Sequence, residues 1–248
     1  MTLRHVSRAG GQGWGGNSKV NIVRQRLLEI YRLLYSTYGP QHWWPGETPF
    51  EVMVGAILTQ NTSWKNVEKS IHRLKERGVL SLRGIQGLKK AELASLIRSS
   101  GYFRIKTERL RNFLHFLSEE FKGDLTKMRR VPLEELRERL LAIKGIGPET
   151  ADSILLYGLE KPIFVVDAYT KRILSRHGII SEKATYGEVQ ELFMANLPGD
   201  EKLFNEYHAL LVHLGKWVCK KTPRCDICVL YNIKPPLENP KVHRARTR

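Results

Sequence analysis

A lone acid, Asp167, stands between the apolar pair Val165-Val166 and Ala168-Tyr169. A carboxylate just beyond an apolar run is a candidate for a partly desolvated acid with a chemical role. Upstream, Gly145-Ile146-Gly147 turns the chain directly before Pro148, a residue suited to the first turn of a helix. A Gly-x-Gly turn that opens a helix offers bare backbone N–H groups to an anion. Three tryptophans, Trp43, Trp44 and Trp64, flank an apolar stretch and the turn Thr59-Gln60-Asn61-Thr62. Electron-rich rings of this kind hold flat or cationic groups. Three cysteines, Cys219, Cys225 and Cys228, form a fourth cluster.

The charge balance names the anion. The 248 residues carry 41 Lys+Arg against 25 Asp+Glu, a formal net charge of +16. A surplus of this size points to a polyanion, and beside a phosphate-type turn the simplest polyanion is nucleic acid. No apolar run approaches the ~18 residues that span a bilayer. The N-terminus has no apolar core of a secretory signal. An odd, clustered set of cysteines does not resemble a secreted disulfide framework. The expectation is an intracellular protein of the cytoplasm or nucleoid.

The elements that must position these residues read as helices. Apolar residues recur at helical spacing in Val23–Leu34, Phe50–Leu58, Val67–Leu74, Lys90–Ser99 and Ile105–Phe121. The pattern continues in Pro132–Ile143, Pro148–Tyr157, Thr170–His177, Tyr186–Leu197 and Glu201–Lys216. Leu80–Leu88 reads as a short helix and turn. β-Branched residues are dense only at Ile163–Val166, and one four-residue strand cannot make a sheet. The helices Pro132–Ile143 and Pro148–Tyr157 thus form a helix-hairpin-helix around the glycine turn, gripping a phosphate without base readout. A plain hairpin with a glycine turn is the alternative.

Lys144-Gly145-Ile146-Gly147, Thr150-Ala151 and Val165-Val166-Asp167 together resemble the signature of the helix-hairpin-helix DNA glycosylase superfamily, the endonuclease III group. Gly101-Tyr102-x-x-x-Lys106 resembles a further landmark of that family. The resemblance spans roughly residues 23–228. It implies an all-α fold of two helical lobes, with the active site in the cleft between them. The expected division is a Gly-rich tail at 1–18, a helical barrel lobe with the hairpin at 49–160, a second lobe from 19–48 plus 161–230, and a basic tail at 231–248. It also implies a monomer acting on damaged double-stranded DNA, with Asp167 as catalytic acid. Gln60 and Asn61 would enter the duplex. Lys144, Gly145, Ile146, Gly147 and Thr150 would hold the strand.

Two departures refine this reading. Bifunctional members carry a sugar-attacking lysine two places after the second hairpin glycine, and here that position is Glu149. A carboxylate cannot form a Schiff base, so a monofunctional glycosylase is expected, unless another lysine such as Lys144 substitutes. The Trp43-Trp44-Pro45 segment with Trp64 resembles the bacterial type III 3-methyladenine DNA glycosylases. It implies alkylated purines as substrates, with one of the three tryptophans serving only packing. A uracil or thymine mismatch glycosylase, a bifunctional glycosylase/lyase and a non-catalytic DNA-binding protein are the rivals. The family often carries a [4Fe–4S] cluster on four cysteines. Here Lys234 stands where the fourth would fall, so the set is incomplete. His208 or His213 could complete an iron–sulfur or zinc site, and a metal-free loop is equally open.

Overall fold

A computed structural model describes residues 15–233, with side chains from residue 22 onward. Residues 234–248 of the expected tail 231–248, Lys234 included, and residues 1–14 lie outside the described residues. Among the described residues there is no strand, and twelve α-helices carry the fold. α1 (Gly15–Tyr38) starts inside the segment expected as an N-terminal tail. A loop holding the paired tryptophans leads to α2 (Pro49–Leu58), which Thr48 caps by accepting from the Glu51 amide. Eight of its ten residues are buried. α2 is therefore a central helix, and its sequence, apolar but for Glu51, follows from having almost no solvent face.

α3 (Trp64–Glu76), α4 (Leu82–Gln86), α5 (Lys90–Leu96) and α6 (Phe103–Phe121) surround it, with a 3₁₀ turn at Arg98–Ser100. α7 (Leu125–Arg130) is a short helix the apolar spacing does not reveal, capped by Asp124. α8 (Leu133–Leu141) and α9 (Pro148–Ser153) form the hairpin. The expected helix to Tyr157 is not α-helical throughout, because Ile154–Gly158 is a π turn. Single π turns inside helices often sit at functional sites.

Residues 160–167 form neither helix nor strand, starting from Glu160 at φ +53° and ending extended at Asp167. α10 (Ala168–Arg176), α11 (Tyr186–Asn196) and α12 (Glu201–Trp217) follow. Side chains of α11 take the place of a neighbouring strand. Gln190 donates to the Phe164 carbonyl at 2.7 Å, and the Val166 amide donates to the Tyr186 hydroxyl at 3.4 Å. An extended backbone buried without a sheet must find such partners.

The helices pack in two groups. α2 packs on α3, α6 and α9, whereas α1 packs on α11 and α12, and α10 on α12. The π turn touches α2 from one group and α12 from the other. The seam between the groups therefore runs past Tyr157. No described helix is long and apolar enough to cross a membrane.

Candidate active site

Asp167 sits at the N-terminus of α10 and caps it, Oδ1 accepting from the Thr170 amide at 2.7 Å. Its other oxygen, Oδ2, faces His208 Nε2 on α12 at 3.8 Å. Only 12% of the Asp167 side chain is exposed. The helix cap that the sequence offered as an alternative role for Asp167 is thus present. His208 is buried, and burial holds its imidazole below the ordinary histidine range despite the nearby Asp167 charge. Its Nδ1 lies 2.5 Å from the Tyr157 hydroxyl. Burial first, and then the Asp167 charge, raises the Tyr157 phenol well above its usual range.

Glu149, in the first turn of α9, keeps a solvent-facing edge, yet its carboxyl is pushed up to about 7. Burial among neighbouring groups is the main cause, and the Asp167 charge adds to it. Two acids in different settings therefore share this end of the seam, one capping α10 and one with its carboxyl raised above the ordinary range.

The three tryptophans come together. The Trp44 ring centroid lies 5.3 Å from Trp43, 5.1 Å from Trp64 and 5.2 Å from Tyr157. All three indoles are half-buried, and Pro45 beside them is exposed. The Trp43–Trp44 peptide is cis. Because the pair lies in a loop, both rings join the cluster. The indoles meet edge to face rather than as parallel walls. Trp43 and Trp64 are tilted by 57° at 6.4 Å. A flat ligand would therefore stack on an outer face. Gly55 of α2 permits this arrangement, since a Cβ there would already be 3.4 Å from both Trp44 Nε1 and Trp64 Cζ3.

The hairpin turn is tied to the Thr59–Thr62 turn. Gln60 Nε2 donates to the Gly145 carbonyl at 3.1 Å and to Thr150 Oγ1 at 2.8 Å. Arg109 donates to Gln60 Oε1 at 2.5 Å. Gln60 is thus fully engaged by protein, and Asn61, exposed with φ +53°, forms the tip. Gly145 has φ +98°, and a Cβ there would collide with the Arg109 side chain. Gly147 differs from expectation. Its φ of −99° is open to any residue, and nothing lies within 4 Å of the position a Cβ would take. Lys144 is exposed, whereas Ile146 and Thr150 are buried. Their side chains serve the core and the Gln60 tie, so only their backbone groups are available to a strand.

Lys106 of the Gly101-Tyr102 landmark is 1% exposed and bridges the Leu58 carbonyl, at 2.7 Å, and the Ser100 carbonyl, at 2.6 Å. Burial, with help from Arg109, lowers its ammonium to about 8. It fastens the end of α2 to the 3₁₀ turn.

A buried network absent from the sequence reading supports the Asp167 segment. Asp152 of α9 is fully buried. It accepts from Arg137 Nε at 2.7 Å and Nη2 at 3.1 Å, from the Tyr186 hydroxyl at 2.7 Å and from Gln190 Nε2 at 2.7 Å. Gln190 and Tyr186 are the residues that hold the extended segment leading to Asp167.

The three cysteines are free thiols in different settings. Cys219 is buried, Cys225 exposed and Cys228 between the two. Arg176 donates to Cys219 Sγ at 3.3 Å. His208 Nδ1 pairs with the Tyr157 hydroxyl, and His213 bonds Gln41 Oε1 at 2.9 Å and packs on Tyr38. Among the described residues, no group of three or more His, Cys, Asp or Glu side chains is arranged to hold a metal ion.

Comparison with known proteins agrees with this geometry. The model of the HhH-GPD superfamily of base excision DNA repair proteins matches residues 54–198. A Methanocaldococcus jannaschii protein whose name proposes a DNA repair glycosylase is 48% identical over 206 residues, covering 82% of this chain and 93% of its own. Thermotoga maritima endonuclease III is 34% identical over 188 residues, covering 74% and 81%. The H. pylori 3-methyladenine DNA glycosylase bound to 1,N6-ethenoadenine superposes with a TM-score of 0.65 at 30% identity, covering 80% of this chain and 97% of that one. An endonuclease III–DNA complex superposes with a TM-score of 0.74 at 22% identity, covering 85% and 94%, and shares the fold. With its hairpin and these relatives, the chain belongs to the HhH-GPD superfamily of base excision DNA repair proteins and is a DNA N-glycosylase.

Proposed function

We propose that this glycosylase is monofunctional and excises alkylated purines such as 3-methyladenine from duplex DNA. The observation that carries the reading is the cluster of Trp43, Trp44 and Trp64, packed through Tyr157 against the same seam as Asp167. A flipped purine made cationic by a methyl group is attracted to an aromatic face by the ring quadrupole. Its glycosidic bond breaks readily, because the departing base takes the bonding electrons and becomes neutral. The sugar left behind has oxocarbenium character, and Asp167 stabilises that charge while water adds to the anomeric carbon. The leaving base needs no strong general acid.

Glu149 supports the monofunctional part. A carboxylate in the place of the sugar-attacking lysine leaves water as the nucleophile. Lys144 is exposed on the hairpin and is read as a phosphate contact rather than a substitute nucleophile. Gly145 and Gly147 supply backbone groups to the same strand, and Asn61, with Gln60 behind it, faces the opening left by the flipped base.

The test is base release, read by mass, from duplexes carrying 3-methyladenine, 1,N6-ethenoadenine, uracil, a T·G mismatch or an oxidised base, with borohydride added in parallel. Release of the alkylated purines without a trapped adduct is expected. Preference for uracil or thymine, or stoichiometric trapping, would overturn the reading.

A further inference from the structure

The interior of the seam holds a buried histidine for which base excision as described so far has no use. His208 is 5% exposed, and its Nε2 is a buried polar atom without a hydrogen-bond partner. That atom faces Asp167 Oδ2 at 3.8 Å, just outside hydrogen-bond reach. The other ring nitrogen is occupied by Tyr157 at 2.5 Å. With the Tyr157 hydroxyl as donor, Nδ1 is the acceptor. The neutral imidazole then carries its proton on Nε2, pointing at the oxygen of Asp167 that the α10 cap leaves unused. Phe164 of the extended segment packs edge-on against the imidazole, with ring centroids 6.4 Å apart. The ring is therefore held by contacts on the π turn, the extended segment and α12.

We propose that Tyr157 and His208 are positioning residues for Asp167, with the Nε2–H of His208 fixing and stabilising the free carboxylate oxygen as positive charge develops on the sugar. The proposal rests on reading Asp167 as the catalytic carboxylate. The other groups around the pair do not supply this interaction. Glu149 on α9 is an acid, and Arg172 on α10 turns away to the Gly215 and Cys219 carbonyls at 2.9 Å. The arrangement also joins the base-holding rings to the acid, because Tyr157 packs on Trp44 on one side and bonds His208 on the other. A carboxylate oxygen has room for a second contact, so a donor on one side does not close it to the sugar.

The experiment is single-turnover excision with enzyme in excess, on whichever lesion duplex the release panel identifies, with duplex affinity measured alongside. His208→Leu keeps bulk and removes the N–H. Its rate at saturation should fall roughly tenfold, the range for losing a hydrogen bond to a charged group, with affinity within about twofold. His208→Gln returns an amide N–H near the Nε2 position and should recover most of the loss. Tyr157→Phe, which deletes one oxygen, should slow the same step about threefold and provides the reading if His208→Leu does not fold. Equal losses in the Leu and Gln variants, or wild-type rates in Tyr157→Phe and His208→Leu, would overturn the proposal. Asp167→Asn in the same panel separates the two readings. If it stays active, the role of Asp167 falls, and if it is dead while the Leu variant is unaffected, only the positioning role falls.

Discussion

Replacing Asp152 with leucine should destabilise the protein strongly while leaving its surface untouched. The carboxylate is fully buried and accepts four hydrogen bonds, two from Arg137 and one each from Tyr186 and Gln190. Removing one partner of a buried ion pair leaves an uncompensated charge and typically costs about 3–5 kcal/mol. The Arg137 side chain is 27% exposed and regains some water, which argues for the lower end, about 3 kcal/mol. For a chain of this size that is a fall in melting temperature of about 6–12 °C. Urea unfolding and a thermal scan of both proteins measure it. Arg137→Met in the Asp152→Leu background should restore about 1 kcal/mol or more, because the stranded guanidinium is gone. The loss should also slow base excision, since Gln190 and Tyr186 hold residues 164 and 166 just ahead of Asp167. A destabilisation under about 1 kcal/mol would refute the argument that this network is closed to water.

Other outcomes follow from the site. Asp167→Asn should abolish excision yet keep α10 and DNA binding, because asparagine caps helices as well as aspartate does; single-turnover assays beside gel shifts read both effects. Glu149 titrates near 7 in the fold and near 4.5 when unfolded, so the folded form binds its proton more tightly. Stability from this group is present at low pH and is lost as pH rises through about 7; Glu149→Gln should therefore raise the melting temperature more at pH 8 than at pH 5. Trp64→Ala should lose excision of a cationic lesion by more than that of a neutral one, with stacking worth about 1–3 kcal/mol per base; equal losses that track a drop in melting temperature would make the ring structural. Affinity for duplex should fall steeply between low and physiological salt, and Lys144→Ala should flatten that slope by about one phosphate contact.

The sequence reads most clearly where a function is local. Asp167 follows an apolar run and precedes a helical pattern, so its burial and its cap are both written within a few positions. Gly145 is equally legible, because a turn of this shape needs a residue that accepts positive φ. Gly147 looks identical in sequence and has no such requirement, so its role cannot be told from type alone. What stays hidden is contact across distance. Tyr157 and His208 are 51 positions apart, and Arg109 reaches Gln60 across 49. Neither pair has a spacing that any helical or strand period would mark. His208 read alone suggests a metal ligand, because a histidine upstream of three cysteines has that chemistry. Only the packing of α12 against the π turn and α10 directs it inward instead.

The Gln60 tie sets a fixed distance within the protein. Gln60 binds the Gly145 carbonyl, Thr150 and Arg109 together, so the tip at Asn61 cannot shift relative to the hairpin without breaking hydrogen bonds. The two surfaces behave as the jaws of one caliper rather than as separate grips. A strand resting on the hairpin, as proposed above, would meet the tip at an offset chosen by the enzyme and not by the flexibility of the DNA. Along a duplex that slides past, each base step is then offered to the tip at the same geometry, and what varies from step to step is how easily the DNA yields there.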